Sequence, residues 1–155
     1  VRYAQQTSVS VEKSRGEIER TLVRYGATSF VYGWQGDAAV IQFDANDRRI
    51  KFSLPLPDRA HPEFTRTPGG RRTRSPQDAA RAWEQACRQR WRALALAIKA
   101  KLEAVDCGIA TFEEEFFAHI VMPNGQTVSR ILAPQIDAAY KSGRMPRLLL
   151  EGGAA

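Results

Sequence analysis

The chain has little with which to build a reactive or cross-linked site. Its 155 residues include two cysteines and two histidines. Two thiols, Cys87 and Cys107, are too few for a disulfide framework. Both fall on what reads as one helix, where ~20 residues at ~1.5 Å each hold them ~30 Å apart, beyond the reach of a bridge. A reducing, cytoplasmic setting is therefore expected. No apolar run approaches the ~20 residues of a bilayer-spanning helix, so no membrane partner is expected. Residues 1–10 lack a basic flank followed by an apolar stretch, so no secretory signal is expected within them. There is no internal repeat and no sustained low-complexity tract.

The scarcity extends to catalytic chemistry. His61 stands beside Pro62 in a polar loop, and His119 follows Glu115 by one helical turn. Glu115 and His119 could share a face as ligands, but no further His or Cys is spaced to complete a metal site. Glu113-Glu114-Glu115 reads as acidic residues favoured by a helix N-terminus. Gly69-Gly70 lacks the strand before and the Gly-Lys-Ser/Thr after that make a phosphate loop. Cys87 lies on an apolar stripe, which suits a structural thiol rather than a nucleophile. The expectation is a protein that is not an enzyme, with no catalytic residue, metal or cofactor.

Lysine is scarce too: five against eighteen arginines. What is abundant is arginine in one place. Positions 59–92 hold nine arginines and three acids, a net of +6 that equals the charge of the whole chain. The remainder sums to zero. A concentrated guanidinium segment on a neutral body suits a polyanion, since the planar fork pairs with phosphate and stacks on bases. A solvated face in a chain of arginine-rich composition is the competing explanation.

The patterning predicts an α+β fold: an N-terminal helix, a three-stranded antiparallel meander, a long central helix and a helical C-terminal part, in a single domain over 1–155. Ser10 caps a helix carrying Val11, Ile18, Leu22 and Tyr25, and Gly26 ends it. Residues 29–34, 38–43 and 48–54 read as strands joined by turn chemistry at 35–37 and 44–47. Phe30, Tyr32 and Trp34 share a side, as core or, less often for such residues, as a base-stacking platform. Pro55 and Pro57 end the sheet, and residues 55–75 read as a structureless, mobile Arg/Pro/Gly-rich loop. Ser75-Pro76 starts a helix reaching about Asp106, with Trp83, Cys87, Trp91, Leu94, Ile98, Leu102 and Val105 on one stripe. Thr111 and Glu114 form a capping box for a helix into Ile120 or Val121. Thr127 caps a last helix, which Pro134 is expected to kink or split before Gly143. The tail 144–155, with Leu148-Leu149-Leu150, suits docking or homo-oligomer formation.

On the central helix, with Cys87 at zero, Arg88 falls near ~100°, Arg81 and Lys99 near ~120° and Arg92 near ~140°. Such a row spans ~27 Å and could contact three or four phosphates. Together with Arg71, Arg72 and Arg74 in the loop, and Arg48, Arg49 and Lys51 on the outer strand, these form the expected nucleic-acid-binding set. Whether the nucleic acid is single- or double-stranded stays open.

Two resemblances accompany this reading. Segments Glu17-Ile18-Glu19-Arg20-Thr21-Leu22, Arg24-Tyr25-Gly26-Ala27, Ala82-Trp83-Glu84-Gln85-Ala86, Arg90-Trp91-Arg92-Ala93-Leu94-Ala95 and Lys99-Ala100-Lys101-Leu102-Glu103-Ala104-Val105 resemble a family of small phage and prophage proteins. The likeness covers residues 8–56 and 82–149, including Pro134-Gln135-Ile136 and Met145-Pro146. It brings no activity to transfer and implies a phage-encoded accessory role. The order helix, meander, helix is also similar to double-stranded-RNA-binding domains. The Gly-Pro-x-His loop of that family is absent at Gln35-Gly36-Asp37, and its lysine-rich helix start is matched only loosely. The expected function is nucleic-acid binding in phage replication, recombination or repair. The alternative is an anti-defence protein whose arginines meet an acidic host-protein surface.

Overall fold

The computed structural model describes residues 3–146. Leu148-Leu149-Leu150, assigned above to docking or self-association, lies outside the described residues. The architecture is α+β in the expected order.

Helix α1 spans Val11–Arg24, and the Ser10 hydroxyl accepts the Lys13 N–H at 3.1 Å. Ile18 and Leu22 are buried. Gly26, at φ +86°, takes the left-handed conformation that closes the helix and turns the chain into the sheet. Strands β1 (Ser29–Gln35), β2 (Ala38–Ala45) and β3 (Arg48–Pro55) pair antiparallel in the order β1-β2-β3. Two-residue turns join them. In the second, Asn46 and Asp47 both have positive φ (51° and 56°), the type I′ geometry that matches strand twist. The register aligns Phe30, Phe43 and Ile50, then Tyr32, Ile41 and Phe52, on one face.

That face is covered by α1 and by α3 (Pro76–Asp106), whose Trp91, Ala95, Ile98 and Leu102 enter the same core. The Ser75 hydroxyl accepts the Asp78 N–H at 3.1 Å, so α3 begins where the Ser-Pro signal puts it. The Thr111–Glu114 capping box forms in both directions, at 2.7 and 3.2 Å. Helix α4 is shorter than expected, however: Phe112–Phe116, then a 3-10 turn over Phe117–His119. Chain beyond it is needed elsewhere. Ile120 bridges Ile50 and the Val121 N–H donates to the Arg49 carbonyl at 2.8 Å, so this segment extends the sheet beyond β3. Phe116 closes the end of the core, edge-on to Phe43 and Phe52.

Two further expectations are corrected. Residues 55–75 are not structureless. They contain the short helix α2 (Pro62–Thr65), with Phe64 buried, and a small hairpin in which Arg66 bridges Thr73. Pro134 does not split the last helix: α5 runs from Val128 to Ser142 through it and ends at Gly143, φ +68°. Proline has no N–H, so the Arg130 carbonyl loses its helical donor at the cost of one bond rather than of the helix.

Candidate nucleic-acid interface

The arginines divide by what holds them. On the sheet, Arg49 forms a bidentate pair with Asp44 at 2.9 and 3.1 Å, and Arg48 meets Glu113 at 2.6 Å. The Asp44 carboxyl is held below the ordinary aspartate range, first by the Arg49 guanidinium and then by Ser29. Lys51 donates to the Gln35 side chain at 3.0 Å. Arg48 and Arg49 therefore meet the protein's own carboxylates, and Lys51 an amide.

The row on α3 is also corrected. Arg92 is ion-paired with Glu17 of α1, its side chain 22% exposed, because α1 packs on that flank. Residues 3–7 lie across the neighbouring turns: the Gln85 amide donates to the Gln5 and Thr7 carbonyls and that of Gln89 to the Tyr3 carbonyl. Arg88 is turned onto the Gln85 side-chain oxygen, its Nε at 3.0 Å. No continuous stripe runs from Arg81 through Arg92 to Lys99; Lys99 is exposed but beyond the break.

At the N-terminal end of α3 the picture is different. Arg71 and Arg72 stand exposed at the tip of the small hairpin, where Gly69 (φ +94°) and Gly70 (φ +72°) supply the reversal. The Thr67 N–H donates to the Arg72 carbonyl and the Arg74 N–H to that of Thr65, which fixes the hairpin through backbone. Arg74 itself is structural, its guanidinium donating to the Glu63 and Phe64 carbonyls at 3.1 and 3.3 Å. Arg81 is highly exposed and 3.8 Å from Asp78. Positions 59–90 carry eight arginines against three acids. Among the described residues, Arg81 is the one arginine of these eight within ion-pair distance of a carboxylate.

Several contacts here have no signal in the local sequence. Arg59 lies over the Trp83 ring at 3.9 Å, and the Trp83 indole donates to the Pro57 carbonyl at 2.6 Å. Arg90 donates to the Pro55 carbonyl. Arg15 lies over Tyr32 at 4.2 Å. Of the strand aromatics, Phe30 and Tyr32 are half-buried on the core face, whereas Trp34 is 71% exposed at its margin.

The residues weighed for catalysis have other engagements. Lys101 contacts the Glu115 carboxylate at 3.3 Å, and His119 stacks on Phe52 with ring centres 4.0 Å apart. His61 caps α2, its Nδ1 accepting the Glu63 N–H at 3.2 Å. Burial pushes the Cys87 thiol up, which keeps it protonated. Among the described residues, no three His, Cys, Asp or Glu converge as metal ligands. No helix among them is long and apolar enough to cross a membrane. No family model, curated protein or solved structure matches the chain, so the meaning of this surface follows from its own residues.

Proposed function

We propose that the protein binds nucleic acid without catalysing a reaction on it, as a phage-encoded accessory protein of replication, recombination or repair. The contact surface is the basic end, made of residues 56–75 and the first turns of α3. One observation carries this reading: the pairing of arginine with acid is uneven. Arg48, Arg49 and Arg92 meet carboxylates, while Arg71 and Arg72 are held out on a backbone-fixed turn without one. Like charges concentrated on an exposed hairpin repel each other, an arrangement that favours an anionic partner. Arg71, Arg72, Arg81 and Arg88 supply the phosphate contacts, which position a backbone rather than read a sequence.

The test is a salt titration of binding to oligonucleotides. Affinity should fall linearly with salt on logarithmic axes, and Arg71→Ala with Arg72→Ala should flatten the slope by about 1.5, since each phosphate contact contributes ~0.7–0.9. Thermal stability should stay within about 0.5 kcal/mol. No binding at ~50 mM salt would overturn the reading and favour an acidic protein partner.

A further inference from the structure

All three tryptophans of the chain line one cleft. It lies between the first turns of α1, the end of β1 and the second to fourth turns of α3, with a volume of about 430 Å³. Trp91 (3% exposed) and half-buried Tyr32 form its floor, edge-on with ring centres 5.9 Å apart. Trp83 forms one wall, fixed by its indole bond to Pro57 and by Arg59 against its ring. Trp34 forms the other and presents an open ring, 71% exposed, braced edge-on by Tyr32 at 5.5 Å.

The rim is mixed in charge. Arg15 and Arg88 line it together with Glu12 and Glu84. Arg59 and Arg90 stand just behind, so the neighbourhood is net positive, and among the described residues none of these four arginines meets a carboxylate within 4 Å. An exposed indole on a sheet normally costs apolar hydration. Here the surroundings keep that ring rigid and accessible rather than covering it. Arg88 and Arg81 lie about 10 Å apart along α3, so the cleft opens directly beside the phosphate-binding end.

We infer that this cleft takes a single unpaired base stacked on Trp34, which makes the preferred ligand a single strand of DNA or RNA. The inference rests on the nucleic-acid reading above. A base in a duplex keeps its faces against its neighbours and cannot enter, whereas every unpaired base offers a π-face. An aromatic slot with arginines at and behind its rim, next to a backbone track, is the chemistry that holds such strands.

The experiment compares four ligands of equal length: oligothymidylate, oligouridylate, an abasic strand carrying the same phosphates, and a duplex. Affinity and tryptophan fluorescence are read for the wild type and for Trp34→Ala and Trp34→Phe. The base-bearing strands should bind about tenfold more tightly than the abasic strand and quench tryptophan emission. Trp34→Ala should bring them to the abasic level with the salt slope unchanged, and Trp34→Phe should restore part of the difference. Equal thymidylate and uridylate binding supports recognition of the base alone; a clear preference for uridylate supports the same slot with an added 2′-hydroxyl contact. Base-bearing strands that bind no more tightly than the abasic strand or the duplex, or an unchanged Trp34→Ala, would overturn the inference while Arg71 and Arg72 still matter. Binding of none of the four would overturn the nucleic-acid reading itself. Quenching by a proline- or aromatic-rich peptide in place of the oligonucleotides would give the cleft to a protein ligand and overturn the inference.

Discussion

The two kinds of arginine should behave differently when removed. Arg92 and Glu17 are partly buried partners joining α3 to α1, so Arg92→Ala leaves a carboxylate without its cation against the helix pair. The expected cost is about 1–3 kcal/mol, read by urea denaturation, with Glu17→Gln in the Arg92→Ala background restoring part of it. If Arg92→Ala costs no more than Arg71→Ala, the pair does not bind the helices together. His119 gives a pH signature. Its pKa is lowered chiefly by burial and further by Lys101, with a hydrogen bond to the Lys51 backbone acting the other way. The folded protein therefore resists protonating it while the unfolded chain does not. Its contribution is complete above the ordinary histidine value of about 6.5 and declines as pH falls from there through the lowered folded value. Denaturation midpoints should decrease between pH 7.5 and 5.5, and His119→Gln should remove most of that slope. None of these pairings was legible in the sequence. Arg92 and Glu17 lie 75 positions apart, and a helical wheel cannot tell which flank of α3 a second helix will cover.

At the level of elements, the sequence was far more informative, because caps, turns and periodicity are local. Ser10, Ser75, Thr111 and Gly143 mark helix ends in the structure at the places their chemistry implies. The apolar spacing on α3 encoded its burial almost residue by residue. Where nonlocal demands compete, the local reading failed: α4 stops early because Ile120 and Val121 pair with β3. The 55–75 segment failed for another reason. Its order comes from backbone bonds across a Gly-Gly turn and from Phe64, one apolar residue that periodicity cannot weigh. The β2–β3 turn offers a local test. Asp47 sits at φ +56°, where glycine is unstrained. Asp47→Gly should gain roughly 0.5–1 kcal/mol and Asp47→Val should lose more, both measured by thermal melting. A melting temperature lowered by Asp47→Gly would show that the turn is not type I′ in solution.

For the molecule as a whole, charge segregation is the governing feature. The basic end was legible as composition; its boundary was not, since the sequence could not say that the sheet arginines and Arg92 would be neutralised internally. Self-repulsion at that end opposes compaction, and salt relieves it within a Debye length of about 10 Å at 0.1 M. Raising NaCl from about 20 to 200 mM should therefore raise the melting temperature, and raise it less in the Arg71→Ala, Arg72→Ala variant. A wild-type melting temperature that falls with salt would mean the internal ion pairs dominate. The meander has a different kind of asymmetry. Beyond β3 the chain adds Ile120 and Val121, but β1 ends the sheet on the other side with Ser29-Phe30-Val31-Tyr32-Gly33-Trp34-Gln35, a run without charge or proline. Those are the two residue classes that usually guard such a margin against adding another extended chain. Crowded solutions of the native protein should consequently pair through this border, and Val31→Lys is the simplest deterrent.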